Sequence, residues 1–154
     1  MTNKIQPIGV NKNFEFTKKI NDDGVEYWNA RELMPLLGYG RWENFQKVIS
    51  KAINACVNSQ QDKKDHFLDV AKMVYLGSGS QRAVKDYNLS RYACYLIAQN
   101  GDSSKIQIAT AQTYFAVQTR KQEITEQITD DQKRLFIRKE VKDQNKKLFN
   151  TAKL

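Results

Sequence analysis

The sequence is poor in the residues that most often carry catalysis. It holds one histidine, two cysteines and two prolines, and no apolar run approaches the ~20 residues that span a bilayer. His66, between Asp65 and Phe67, cannot build a histidine-rich metal site and reads as a structural side chain. Cys56 and Cys94 are too widely spaced for a zinc site. Each lies in an apolar helical pattern, as buried free thiols do in a reducing compartment. Met1 to Val10 are polar and lack the apolar stretch of a signal peptide, so a cytoplasmic protein off the membrane is expected. No G-x-S-x-G nucleophile motif occurs. The loop Gly77-Ser78-Gly79-Ser80 runs on into Gln81 and Arg82 instead of the G-K-[S/T] of a P-loop. Asp62, Asp65 and Asp69 are close in sequence, and Asp65 and Asp69 could share a helical face, but no other residue supports a metal site there. The expectation is therefore no catalytic residue, no metal and no cofactor.

What the chain does have is positive charge. Its 154 residues carry a formal net charge of +8 and a pI near 9.5, with 40% hydrophobic and 27% charged residues. That is a globular composition, long enough for one domain or one domain with a helical extension. A basic balance favours polyanions: nucleic acid, an anionic membrane or an acidic protein. Charge alone does not choose among them.

Phe14 and Phe16 alternate with charges and lead into Lys18 to Ile20, followed by the turn residues Asn21, Asp22, Asp23 and Gly24 and the β-prone Val25 to Trp28. This predicts a hairpin. Asn29, with Glu32 three residues on, predicts a capping box for a short helix that Gly38 stops. From Arg41, the spacing of Phe45, Val48, Ile49, Ala52, Ile53 and Cys56 predicts a long helix. Residues 59–65 read as a loop, and 66–76 as either a short helix or the start of a strand. Arg82 to Leu89 alternates as a strand, paired with whatever precedes the Gly/Ser loop. Ser90 caps a helix that Asn100-Gly101 ends. A further helix is expected over 106–127, with Ala109, Thr113, Phe115 or Ala116, and Ile124 inward. Thr129 and Gln132 predict a capping box for a last helix. The expected fold is α+β and mainly α-helical, small antiparallel hairpins packed with about five helices. Residues 14–128 would form the domain, and 129–154 a basic amphipathic helix. The chain ends at Thr151-Ala152-Lys153-Leu154 without a helix stop, so a longer natural chain is expected.

Candidate sites follow from charge and position. In Gly40-Arg41-Trp42-Glu43-Asn44-Phe45, Arg41 and Trp42 could meet a phosphate and a base; the plainer alternative is that Trp42 covers the core edge. Arg134, Arg138, Lys142 and Lys146 repeat at i+4, and a polyanion would relieve their repulsion. The alternative is a solvated face complementing the helix dipole. Leu135, Ile137, Val141, Leu148 and Phe149 form an apolar set too large to leave in water. They would dock on the domain, on a second copy or on sequence further along.

Several runs carry a resemblance: Tyr27-Trp28-Asn29-Ala30-Arg31-Glu32-Leu33, Leu37-Gly38-Tyr39, Arg41-Trp42-Glu43-Asn44-Phe45, His66-Phe67-Leu68-Asp69-Val70, Val84 to Asp102, and Ala111 to Arg120. Over about residues 14 to 154 the chain resembles the family of DNA damage-inducible D proteins. Over about 25 to 121 it is more distantly similar to the amino-terminal domain of the viral BRO proteins and phage antirepressors. The resemblance implies an induced, non-enzymatic role in the bacterial response to DNA damage (the SOS response), a longer chain, and an association with DNA binding and transcriptional control. Ile106 stands where related sequences often have proline.

The leading expectation is a DNA-associated regulator. Its groove would be lined by Arg41, Lys47, Lys51, Arg82, Lys85 and Arg91, with Arg120 and Lys121 nearby and the basic last helix contributing, on single- or double-stranded DNA. The alternative is a module that binds a recombination or repair protein, or a second copy of itself, without gripping DNA.

Overall fold

The structure is a computed structural model that describes residues 13–152, with side chains described to residue 149. The polar lead-in expected at the start of the chain lies outside the described residues. Residues 13–16 are helical, not the strand expected from the Phe14/Phe16 alternation. Phe14 is buried while Phe16 is 74% exposed, because Phe14 stacks flat on Trp28 with ring centroids 4.5 Å apart. The hairpin is shorter than its sequence pattern: β1 (Lys19–Ile20) pairs antiparallel with β2 (Glu26–Asn29). Its turn is held by the Asn21 side chain, whose Oδ1 accepts from Asp23 N and Val25 N at 2.9 Å each. Gly24 takes the left-handed conformation the turn needs, φ +79°.

Helix α1 (Ala30–Leu36) begins where expected, but not by the expected capping box. Asn29 makes no cap bond. Its amide nitrogen donates to Asn88 Oδ1 at 2.8 Å, tying β2 to a later strand, and its oxygen accepts from Lys19 Nζ. Glu32 pairs with the same lysine at 2.7 Å. The helix start is satisfied from a distance: Asp86 Oδ1 accepts from Arg31 N at 3.0 Å. Helix α2 (Trp42–Asn58) buries Phe45, Val48, Ile49, Ala52 and Cys56 on one face, as the spacing predicts. It ends in a Schellman motif, Gln61 N to Cys56 O at 3.1 Å and Gln60 N to Val57 O at 3.0 Å, with Gln60 in the left-handed region at φ 64°.

Part of the predicted 59–65 loop is a helical turn, α3 (Lys63–His66), capped by Asp62. The ambiguous 66–76 segment is a strand, β3 (Phe67–Tyr75), in an unbroken antiparallel ladder with β4 (Gln81–Leu89), from Phe67↔Leu89 to Tyr75↔Gln81. Its β-branched and aromatic residues suit the ladder better than one helical turn. Among the described residues the strands form one four-stranded sheet, order β1-β2-β4-β3, with β2 and β4 joined at Trp28↔Leu89 and Asn29↔Asn88. Phe67, Tyr87 and Leu89 at the root of β3 and β4 are buried with Trp28, Leu33, Phe45 and Ile97.

Helix α4 (Arg91–Asn100) is capped by Ser90, which accepts from Ala93 N at 3.0 Å, and buries Ala93, Cys94, Ile97 and Ala98. Burial pushes the Cys94 and Cys56 thiols above the ordinary range, as inert core thiols. Gly101 closes the helix because nothing larger fits: a Cβ there would lie 2.5 Å from Ile108 Cδ1. Gly101→Ala is expected to cost about 1–3 kcal/mol by overpacking. Most of that loss should disappear in an Ile108→Ala background, where the methyl has room. Thermal melts of the two single variants and the double variant check this; equal losses in both backgrounds would reject the clash.

The two helices expected on either side of residue 128 are one, α5 (Ile106–Ala152), 47 residues long. Thr129 does not cap. Its hydroxyl donates to Thr125 O at 2.9 Å, a bond made inside a continuing helix, and no glycine or proline interrupts the run. The buried positions in its first turns are Ile108, Thr110, Ala111 and Phe115; Phe115 is inward as expected, whereas Ala109 is half-buried and Thr113 exposed. The chain divides into two compact units between Phe115 and Ala116, upstream of the 128/129 boundary that the capping box suggested. In the second unit, Ala116 to Phe149 are all exposed, Ile124 included. No helix among the described residues is long and apolar enough to cross a membrane.

Candidate nucleic-acid interface

Three elements of the first unit bring cations and rings into one stack. Arg31, in the first turn of α1, lays its guanidinium over the Trp42 ring at 4.2 Å and donates through Nε to Lys85 O at 2.6 Å. Trp42 opens α2 and stacks on Tyr87 of β4, with centroids 6.4 Å apart and planes 28° apart. The Lys85 ammonium lies over the far ring, 5.1 Å from the Tyr87 centroid. The order is cation, ring, ring, cation, each cation–ring contact favourable by the ring quadrupole. Hydrogen bonding to Tyr87 raises the Lys85 pKa above the ordinary lysine value. Gln46 Nε2 donates to the Tyr87 hydroxyl at 3.0 Å.

Asp86 fixes this arrangement. It is 1% exposed, and its Oδ1 accepts from Tyr87 N at 2.8 Å as well as from Arg31 N. One buried carboxylate thus sets the start of α1, which carries Arg31, against the strand that carries Lys85 and Tyr87.

The sequence-predicted residues fall in several places. Arg41 is exposed at the N-cap of α2, one residue before Trp42, and Lys47 and Lys51 are exposed along that helix. Arg82 and Lys85 are exposed on β4. Trp42 is half-buried: it covers the core edge, and its ring contacts Arg31 and Tyr87. Arg91 is committed elsewhere. Its guanidinium bonds Glu15 at 2.8 Å and Glu26 at 2.9 Å and lies over Trp28 at 5.1 Å. Those two carboxylates raise its pKa further, and Arg91 in turn lowers that of Glu15. Its role is to tie the residues before β1 and strand β2 to α4, and it leaves the candidate set.

Arg120, Lys121, Arg134, Arg138, Lys142 and Lys146 belong to the second unit and are exposed there; Arg120 pairs with Glu123 at 3.3 Å and Arg134 with Asp131 at 3.9 Å. The expected amphipathic face does not form. At about 100° per residue, Leu135 and Ile137 lie on opposite sides of the helix. Val141 and Leu148 follow Ile137, Phe149 lies nearer Leu135, and Phe136 is a further exposed apolar side chain.

Of the other sequence candidates, Gly77 to Ser80 form the turn of the β3–β4 hairpin, with Gly79 at φ +83°. His66 Nδ1 bonds the Ser90 hydroxyl at 2.7 Å. Asp62 caps α3, and Asp69 pairs with Lys63 at 3.4 Å. Among the described residues no group of three or more His, Cys, Asp or Glu could hold a metal ion. Sequence reasoning missed Arg31, Gln46, Asp86 and Tyr87. The available signal was the alternation of Lys85-Asp86-Tyr87, which puts the lysine and tyrosine on one face and turns the aspartate to the other.

The cation–ring stack sits on a small, mainly helical α+β domain. Residues 16–116 match the BRO family, N-terminal domain, and the chain belongs to that family. The match ends at the boundary of the first compact unit. The chain is also 49% identical over 144 residues to DNA damage-inducible protein D of Escherichia coli (strain K12), covering 90% of this chain and 53% of that protein. It thus spans about half the length of the relative it matches. No solved structure matches it.

Proposed function

We propose that this chain is a non-enzymatic, cytoplasmic DNA-associated protein of the bacterial DNA-damage response, which binds DNA through the surface around Arg31, Trp42, Tyr87 and Lys85 and so regulates repair or transcription. The observation that carries the reading is the stack itself. Two charges are held at fixed positions by two rings and a backbone carbonyl, with Arg41 and Arg82 on the neighbouring elements. Cations ordered before binding lose little entropy on meeting phosphates. The net charge of +8 supports the same reading. So does the name of the relative, a DNA damage-inducible protein.

Binding to single- and double-stranded DNA by fluorescence anisotropy, at low and moderate salt, tests it. Affinity should fall steeply with salt, and Arg31→Gln/Lys85→Gln should weaken binding about tenfold or more and reduce the salt slope by about 2. A companion variant with Arg134, Arg138, Lys142 and Lys146 changed to Gln measures the second unit's share. Binding indifferent to the Arg31/Lys85 pair would reject this surface.

The exposed Ile137, Val141 and Leu148, which share one side of α5, favour a second reading, a module that docks on a recombination or repair protein or on a second copy. Such binding would survive moderate salt and be lost on Val141→Glu.

A further inference from the structure

The β3–β4 hairpin is far longer than the core needs. Its strands pair over nine residues each, yet only Phe67 on one strand and Asp86, Tyr87 and Leu89 on the other are buried. From Leu68 to Tyr75 and from Gln81 to Lys85 every residue is exposed or half-buried. A two-stranded ribbon open to water on both faces is marginal by itself. This one gains cohesion from Val70, Val74 and Val84, half-buried together on one face. A protein that keeps such an element outside its core has a use for its surface.

The chemistry of that surface points to a polyanion with a groove. Beyond the root the ribbon carries three cations, Lys72, Arg82 and Lys85, against one exposed carboxylate, Asp69. Lys72 and Arg82 share the valine face, since Lys72 pairs with Val84 and Val74 with Arg82. The other face carries Lys85, Gln81, Met73 and Tyr75, the last 77% exposed. The turn is slim: Gly77 and Gly79 have nothing near their missing side chains, and Ser78 and Ser80 bond each other at 2.9 Å. Two paired strands and their side chains are about as wide as the ~12 Å major groove of B-form DNA, which admits a two-stranded ribbon and excludes most bulkier elements. Arginine and lysine are the side chains that read guanine edges there, and Arg82 and Lys72 share one face of the ribbon.

We propose that the β3–β4 ribbon enters the major groove of duplex DNA, its Lys72–Arg82 face turned to the base edges while the Arg31–Lys85 stack at its root stands on phosphate. This rests on the reading of the chain as a DNA binder and goes further, naming the strand form, the groove and the reading element.

The test uses the whole chain and three probes at one salt concentration: a duplex of random sequence, the matching single strand, and the same duplex with glucosylated hydroxymethylcytosine, which fills the major groove. Netropsin, a minor-groove ligand, serves as competitor. The expected result is preference for duplex, loss of at least about tenfold on the glucosylated duplex, and indifference to netropsin. Lys72→Gln/Arg82→Gln, whose side chains are exposed, should melt like wild type and lose a similar factor on plain duplex. Equal affinity for single strands, or competition by netropsin without an effect of glucosylation, overturns the proposal while leaving a DNA binder. Unchanged affinity in Lys72→Gln/Arg82→Gln alongside loss in Arg31→Gln/Lys85→Gln does the same. A ribbon variant that alters sedimentation and not DNA affinity would make the exposed β3 edge a pairing strand for protein instead. No binding of wild type to any probe overturns both readings.

Discussion

Asp86→Ala is expected to cost roughly 2 kcal/mol of stability, about 8 °C in Tm, although the side chain touches no exposed surface. Its Oδ1 accepts from Arg31 N and Tyr87 N. Without it the part-buried Arg31 amide and the buried Tyr87 amide both lose the acceptor that the 1%-exposed Asp86 supplies. Asp86→Asn keeps an acceptor in the same place and should recover about half the loss, which separates the hydrogen bond from side-chain packing. A thermal melt of the three proteins, with tryptophan fluorescence to follow Trp42, is the measurement. If alanine and asparagine melt together, the acceptor has no role. DNA binding by Asp86→Ala, measured well below its Tm, should fall too, because Arg31 loses the register that sets it over Trp42.

A larger loss is expected at Trp28. Its ring is 1% exposed, stacks on Phe14 at an interplanar angle of 5°, and donates through Nε1 to Phe14 O at 2.8 Å. Arg91 lies over it, carrying the ion pairs to Glu15 and Glu26. Trp28→Ala opens a cavity under all of these, and about 3–5 kcal/mol is expected. Much of a domain's stability lies in that range, so the variant should populate unfolded chain at growth temperature. Trp28→Phe keeps the stack and loses the indole donor, for roughly 1–2 kcal/mol. Urea unfolding of both checks the order. Similar losses would mean that the hydrogen bond, not the ring, holds the residues before β1 to the core.

Much of this fold was legible as local pattern. The face of α2, the Ser90 cap, the buried cysteines and the 82–89 strand follow from spacing and capping chemistry that act within a few residues. The misreadings came from rules with a competing partner elsewhere in the chain. Asn29 and Glu32 make a good capping box until Asn88 and Lys19 claim their side chains. Phe14 and Phe16 alternate like a strand until Trp28 offers Phe14 a flat ring. Thr129 looks like a cap, but a threonine can bond back within a helix that nothing stops. The candidate site was half legible. Trp42, Arg41, Arg82 and Lys85 stood out by charge and position, whereas Arg31, Asp86 and Tyr87 draw their meaning from a pairing more than fifty positions apart in the chain. The ion pairs of Arg91 were hidden for the same reason, since nothing beside it in sequence announces two carboxylate partners.

The double duty of Asp86 bears on how such a module can drift over generations. A residue that merely touched DNA could be exchanged whenever the bound sequence changed, with folding untouched. Here the arginine proposed to meet DNA and the lysine beyond it are aligned by an acid that the core also requires. The recognition surface can therefore be retuned cheaply at its rim, at Arg41, Lys72, Gln81 or Arg82. Its centre is inherited as a block, and random mutagenesis scored by loss of function should return Asp86 alongside residues that meet the ligand directly.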